Sequence, residues 1–288
     1  MATQVQDYAI DIDTDALKVE SHFPGISYDD FDRGGGISPW KICRMFEAGR
    51  SIPFFQGNFL DFNQLVSRNF GFFVLGGDYY FDSCLWEVTR KYHFFPYKIR
   101  LELINVGQTS LTIRQVLVNK LDSKEIATFY GKLVYVDKLA RRPTALPYWH
   151  REKFGHLKKE MDGQAKIMVD SKKVVPEGAF QVETLVAASD TDHNGHTNQG
   201  SYVRFCLDAA ETANKAGVLE CVQGDICFYP ILKMTVSYKG ETYHGDRLIT
   251  SVWPDDLSPP VLHFAIKRQG KLVLTASITF KPRPKSKL

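Results

Sequence analysis

The sequence predicts an α+β protein built twice over, each half an antiparallel sheet wrapped around one central helix. Three observations carry this expectation. Asp30, Asp32, Gly35 and Arg44 recur 160 positions later as Asp190, Asp192, Gly195 and Arg204, a weak internal repeat. In both copies a short strand-like run enters the Asp-x-Asp segment and a helix-spaced apolar pattern leaves it. Beyond each helix the apolar period changes from about 3.6 to 2, the change from a helix stripe to a half-buried strand.

The elements follow in order. Ser38 is the expected N-cap of the first helix and Pro39 its first residue, with Ile42 and Phe46 on the buried stripe. WEVTRKYHFF, KIRLELIN, SLTIRQVLVNK and EIATFYGKLVYVD then read as strands. A charged stretch poor in periodic apolar residues comes next. It divides the chain into an N-terminal domain over 1–148, a linker over 149–178 and a C-terminal domain over 179–288. The second helix carries Tyr202, Phe205, Cys206, Ala209 and Ala213 at helical spacing, with Asn198 as N-cap and Gly217 just past its end. LKMTVSY, DRLITSVW, VLHFAIKR and KLVLTASITF complete the strands, and Gln269-Gly270 forms a hairpin turn.

Composition excludes several classes. The 36 basic and 33 acidic residues nearly balance, and part of the small excess sits in the tail KPRPKSKL, so no polycationic surface for nucleic acid is expected. No apolar run approaches the roughly 18 residues needed to span a bilayer. Cys43, Cys84, Cys206, Cys221 and Cys227 form no C-x-x-C pair and read as reduced thiols. The acidic start MATQVQDYAIDIDTDALKVE has no apolar core, so neither a signal nor a transit peptide is expected, and the protein reads as soluble and intracellular. Ser286-Lys287-Leu288 matches a peroxisomal address, with the import receptor as the implied partner.

The chemistry concentrates in DTDHNGHTNQG, residues 190 to 200. Asp192, Asn194 and His196 alternate, so an extended backbone would turn all three to one side. They precede a helix whose first N–H groups lack intrahelical partners and carry partial positive charge. Asp190 reads equally as a turn former, His193 as a solvated side chain, and Asn198 as a cap first and a substrate contact second. No third ligand follows His193 and His196 at metal spacing, and no cofactor motif is present, so neither a metal nor a cofactor is expected. The first-half turn, DFDRGGGISPW, has no His or Asn, and its Gly-rich run reads as a flexible lead into the helix, lacking the Lys-Ser/Thr of a P-loop. Residues 54 to 86 are dense in aromatics, which suits either the wall of an apolar pocket or core packing.

This order of strand, Asp-rich turn, helix and antiparallel strands resembles the hotdog fold, here as a tandem double hotdog. The second half is most similar to the catalytic domain of plant-type acyl-ACP thioesterases. Their D-x-D-x-N-x-H-x-N-N signature, with a Tyr four residues on and an acidic helix residue, is met by Asp190, Asp192, Asn194, His196, Asn198, Tyr202 and Asp208. The family's E-C pair, on the strand after the helix, falls at Glu241-Thr242, behind Tyr238. Gln199 departs from the second Asn but keeps an amide, and Thr242 stands where the family has Cys, which argues against a thiolate step. The resemblance implies thioester hydrolysis at one active site, with the N-terminal half structural or holding the acyl chain. Asp192 or Glu241 would be the nucleophile or the base that activates water, and two carboxylates in one partly dry pocket should raise one pKa. His196 would position the water or carbonyl and protonate the leaving thiolate, Asn194 would orient, and Asn198, Gln199 and Gly200 would position substrate. The two halves would pair as hotdog dimers do, and a homodimer of double hotdogs is a further assembly in keeping with the fold. Without a plastid transit peptide, an acyl-CoA is the expected substrate. A hotdog enoyl-CoA hydratase, whose motif resembles D-x-N-P-x-H, differs in spacing and in its Pro. A non-catalytic acyl-CoA binding module has no need of two carboxylates near a thioester.

Overall fold

The computed structural model describes residues 9–91, 94–156, 174–220, 222, 224–255 and 260–281. Cys221 and the Ser286-Lys287-Leu288 tripeptide lie outside the described residues, as do positions 157–173 of the expected linker. Among the described residues five α-helices occur: α1 (Pro39–Phe55), α2 (Phe62–Leu65), α3 (Ser83–Lys91), α4 (Tyr148–Phe154) and α5 (Gln199–Lys215). The linker expected over 149–178 therefore opens with ordered structure, because α4 buries His150 and Phe154.

The chain divides into two compact units. One comprises Met1–Tyr28, Met45–Val74 and Tyr92–Lys166, and the other Asp29–Arg44, Leu75–Lys91 and Ile167–Leu288. In the first, β1 (Ile10–Asp13), β2 (Lys18–Phe23), β4 (Tyr97–Val106), β5 (Ser110–Asn119) and β6 (Glu125–Asp137) lie side by side. Every pairing along that path is antiparallel, with Val19 opposite Leu101 and Ile113 opposite Gly131. The short β7 (Arg142–Pro143) pairs with β6. The later turns of α1 lie on this sheet. The fully buried Gln115 amide donates to the Phe46 carbonyl at 2.8 Å. Gly49 comes so close that a Cβ there would stand 2.5 Å from Ile99, so only glycine lets the helix sit at that depth. Phe54, Phe62 and Phe72 stack in a run with centroid spacings of 4.4 and 5.4 Å, and Tyr135 meets Phe72 at a 45° tilt and 5.1 Å. This accounts for part of the aromatic density between residues 54 and 86 as packing.

In the second unit the order is β3 (Phe70–Phe81, whose residues from Leu75 onward belong here), β9 (Ile231–Tyr238), β12 (Lys271–Phe280), β11 (Val261–Arg268), β10 (Arg247–Pro254) and β8 (Phe180–Leu185). Asp78 faces Thr235, Thr235 faces Ser277, Phe264 faces Ala276, and Thr250 faces both Ile266 and Val182. Helix α5 packs across β10 and β8 with Phe205, Cys206, Ala209 and Ala213 no more than 1% exposed. Burying a side chain the size of Phe205 contributes about 1.5–3 kcal/mol. The second-half strand readings match β9 to β12 to within one residue at each end.

One strand expected in the first half is a helix. WEVTRKYHFF contributes to α3, which starts at Ser83. Asp82 accepts the Cys84 N–H at 2.8 Å, and Leu85 and Thr89, four residues apart, are fully buried while Glu87 and Lys91 face solvent. That is a helical period, masked in the sequence by β-favouring Trp, Val and Thr. The strand in this region is β3, whose aromatics on both faces hide the period of two.

Candidate active site

Two turns of the second unit share one backbone design. In the first, Tyr28–Asp30 forms a 3-10 turn and Phe31 bridges Ile37; in the second, Ala188–Asp190 and the Thr191–Thr197 bridge repeat this. The Asp32 N–H donates to Gly36 O at 2.8 Å and the Asp192 N–H to His196 O at 2.9 Å. Gly35 at φ 75° and Gly195 at φ 76° reverse the chain in the left-handed region that a Cβ disfavours. Asp32 Oδ1 accepts the Gly34 and Gly36 N–H groups at 2.8 and 3.1 Å, and Asp192 Oδ1 accepts the Asn194 N–H at 2.8 Å. Burial outweighs those donors at Asp32 and lifts its carboxyl above the usual carboxylate range.

Both turns correct expectations. Residues 192 to 196 are not extended, because the Asp192 carboxylate folds onto the backbone and Gly195 reverses the chain. Asn194 and His193 are exposed at the tip of the turn, while Asp192 and His196 are half-buried. The Gly34-Gly35-Gly36 run is an ordered turn held by Asp32 rather than a flexible lead.

His196 meets a carboxylate. Glu241 lies on the connection between β9 and β10, not on a strand as the resemblance implies, since β9 ends at Tyr238. That connection is fastened to the turn at Thr242, which is fully buried. The Thr242 carbonyl accepts the Thr197 N–H at 2.8 Å, and the Thr242 hydroxyl lies 2.6 Å from Thr197 Oγ1 and 2.8 Å from the Tyr202 hydroxyl. Burial pushes the Tyr202 phenol above its usual pKa, which keeps its proton in this network. The residue standing where the resemblance has a thiol is thus a structural hydroxyl. As a result His196 Nε2 comes within 3.9 Å of Glu241 Oε2, with both side chains about a quarter exposed (26% and 28%). Tyr243 donates its hydroxyl to Glu241 Oε2 at 2.9 Å, and its ring meets the imidazole edge-on at 5.3 Å. Asp246 Oδ2 accepts the Tyr243 N–H at 2.7 Å and an Arg268 N–H at 2.9 Å.

Sequence reasoning missed Tyr243, Thr197, Asp246 and Arg268. The i, i+2 spacing of Glu241 and Tyr243 was the one available signal, since it puts both on one side of a near-extended segment. The remaining site residues take structural places. Asn198 Oδ1 accepts the Gly200 N–H at 2.8 Å, so one of the helix-start donors is engaged by the cap. The Gln199 carbonyl lies 3.4 Å from the Tyr238 hydroxyl. Gly200 is a close approach, since a Cβ there would stand 2.6 Å from the Trp40 carbonyl oxygen at the start of α1. Asp190 is buried, pairs with Arg204 and accepts the Ala187 N–H at 3.0 Å. The exposed Asp208 pairs with Arg204 at 3.2 Å. Among the described residues no three His, Cys, Asp or Glu side chains group as a metal cage. What the arrangement offers is an imidazole and a carboxylate side by side, partly dry, beside a helix start: one group to take a proton and one to give one.

No protein-family model matches the chain, and no curated protein does. Solved structures match along nearly its whole length. An acyl-ACP thioesterase from Bacteroides thetaiotaomicron is 17% identical with a TM-score of 0.67, over 94% of this chain and 100% of that one. The 12:0-ACP thioesterase from Umbellularia californica is 15% identical with a TM-score of 0.68, over 93% and 98%. At these identities the likeness establishes the fold: the chain is an α+β double hotdog.

Proposed function

We propose that this protein hydrolyses an acyl thioester to a free acid and a thiol, with Glu241 as the base and His196 as the acid. The observation that carries the reading is the 3.9 Å approach of His196 to Glu241, secured by Thr242 on a fold otherwise seen in thioesterases. Glu241 takes a proton from a water molecule, whose oxygen bonds to the thioester carbonyl carbon. The C–S bond then breaks and His196 gives its proton to the departing thiolate sulfur. Glu241 rather than Asp192 is the base we assign, because its carboxylate lies within 3.9 Å of the His196 imidazole. Tyr243, donating to Glu241, fixes the carboxylate's direction. Asn194, at the exposed tip of the turn, is placed to contact the incoming substrate. Asn198, Gln199 and Gly200 set the helix start against which the carbonyl oxygen would rest.

The carrier we propose is coenzyme A, and the compartment the peroxisome, on the strength of the Ser286-Lys287-Leu288 sequence. The test is free-thiol release by the purified protein from short, medium, long and aromatic acyl-CoAs and from the same acyl groups on a carrier protein. Glu241→Gln and Asp192→Asn run beside it, with circular dichroism to check folding. Release from one acyl class that is lost in Glu241→Gln supports the reading and names the carrier. Hydration of an enoyl-CoA without thiol release would replace it with the hydratase reading. A fluorescent fusion ending in residues 279–288, with and without the last three, checks the address.

A further inference from the structure

Beside the first-half turn lies a cavity of about 240 Å³, separate in its lining from His196 and Glu241. Its walls are aromatic and aliphatic: Trp40, Trp86, Tyr229 and Phe280 with Ile226 and Leu207. Its polar groups are Asp32, Asp208, Glu211 and Arg33, together with Thr212 and Cys227. The single cation among them is already committed. Arg33 forms a two-pronged pair with Asp225 at 2.5 and 2.6 Å and reaches Glu211 at 3.5 Å. Arg204 pairs with both Asp208 and Asp190, and Lys215 with Glu211. Even with these partners counted, acids outnumber bases by five to three around the cavity.

This place is where the repeat would put a second catalytic centre, and the chain has refitted it. The connection after β9 carries Glu241 and Tyr243 to His196. The connection after β3 instead carries α3, whose Trp86 indole lies against Gly36, with its N–H donated to the Ile231 carbonyl at 3.3 Å. An indole wall thus occupies the room an imidazole would need.

We propose that this cavity binds an organic cation with an apolar body, an alkylammonium or quaternary ammonium compound, and excludes carboxylates and phosphates. Aromatic walls attract an ammonium group through the ring quadrupole, most strongly where the contact is desolvated. The surplus of carboxylates adds to that attraction and repels an anion. A cavity of roughly 150 Å³ holds benzene, so 240 Å³ suits about ten heavy atoms. A coenzyme A phosphate or a fatty-acid carboxylate would meet no uncommitted cation in the lining.

The experiment is a ligand-observed NMR titration of the full chain with hexyltrimethylammonium, hexanol and hexanoate, each alone. Hexyltrimethylammonium is expected to bind with a Kd of about 0.1–1 mM, hexanol at least threefold more weakly, and hexanoate not at all. Thr212→Trp, at an exposed position on the α5 side of the cavity, should abolish binding by filling it. Asp208→Asn should weaken the cation about threefold to tenfold and leave hexanol unchanged. Glu241→Gln should bind like the unmodified chain, which separates this site from the proposed catalytic one. Hexanoate binding as tightly as the cation, no binding by any probe, or indifference to Thr212→Trp would each overturn the proposal.

Discussion

Set side by side, the turns at residues 32–36 and 192–196 have the same backbone hydrogen bonds, the same left-handed glycine and different chemical content. Asp32 and Asp192 hold the turn, and Gly35 and Gly195 reverse it. The helices that follow, α1 and α5, are each 17 residues long. What differs is the other three positions, the first of them Arg33 against His193. Asn194 and His196 in the second turn are Gly34 and Gly36 in the first, and neither glycine has room to change. A Cβ at Gly34 would stand 2.8 Å from the Cys227 carbonyl oxygen, and one at Gly36 would stand 2.9 Å from the Trp86 ring. The turn's geometry and its chemistry are therefore carried by separate residues. One copy could lose its chemistry, and have its space refilled, without losing its shape.

That separation is open to attack by mutation, beginning with the largest effect. Replacing Glu241 by Gln should lower kcat for thiol release by about 10²–10⁴-fold, the range for a general base, with the melting temperature nearly unchanged. A variant that keeps its rate would remove the second turn's claim to chemistry. Next, writing the second turn's chemistry into the first with Gly36→His should displace Trp86 and cost about 1–3 kcal/mol by overpacking, with no added thiol release. Denaturant unfolding reads the cost, and a graft with unaltered stability would show that the indole does not hold that space.

Thr242→Val removes the hydroxyl shared by Thr197 and Tyr202 at the same side-chain volume. It should cost about 1–3 kcal/mol through the buried partners left behind. Because the connection carrying Glu241 loosens, kcat should fall more than KM rises, and Thr242→Ser should restore most of both. The smallest effects come from the paired variants Gly35→Ala and Gly195→Ala, each costing about 1–2 kcal/mol for a side chain in the left-handed region. The stability losses should match, while thiol release should drop only for Gly195→Ala. Equal rate losses in both would mean the first turn takes part in the chemistry.

Most of the second half was legible in the sequence because its strands are apolar, β-favouring runs bounded by turn residues, as Gln269-Gly270 bounds two of them. VLHFAIKR and KLVLTASITF are β11 and β12 residue for residue. Asn198 as a cap and Gly217 past the end of α5 were equally local signals, and both stand as expected. The failures share a cause. In WEVTRKYHFF the strand-favouring side chains outvoted a weak helical period, and at β3 aromatics covered both faces. At Asp192 the assumed extended backbone gave way to a side-chain hydrogen bond two residues on, which Asx chemistry permits but does not announce.

The sequence alone thus determined the repeated α+β plan, the two helix starts, and a set of candidate groups that includes His196 and Glu241. These depend on interactions within a few residues, or on an alternation imposed by one buried face. Tertiary structure alone decided that Glu241 reaches His196 and that Asn194 stands exposed at the tip of its turn. It also made Thr242 a buried fastening, and drew Tyr243 and Arg268 into the site. Thr197 and Thr242 are 45 positions apart in the chain. Their meeting is set by how α5 lies on β10 and β8 and how β9 exits the sheet, a sum of many packing contacts that no local pattern records.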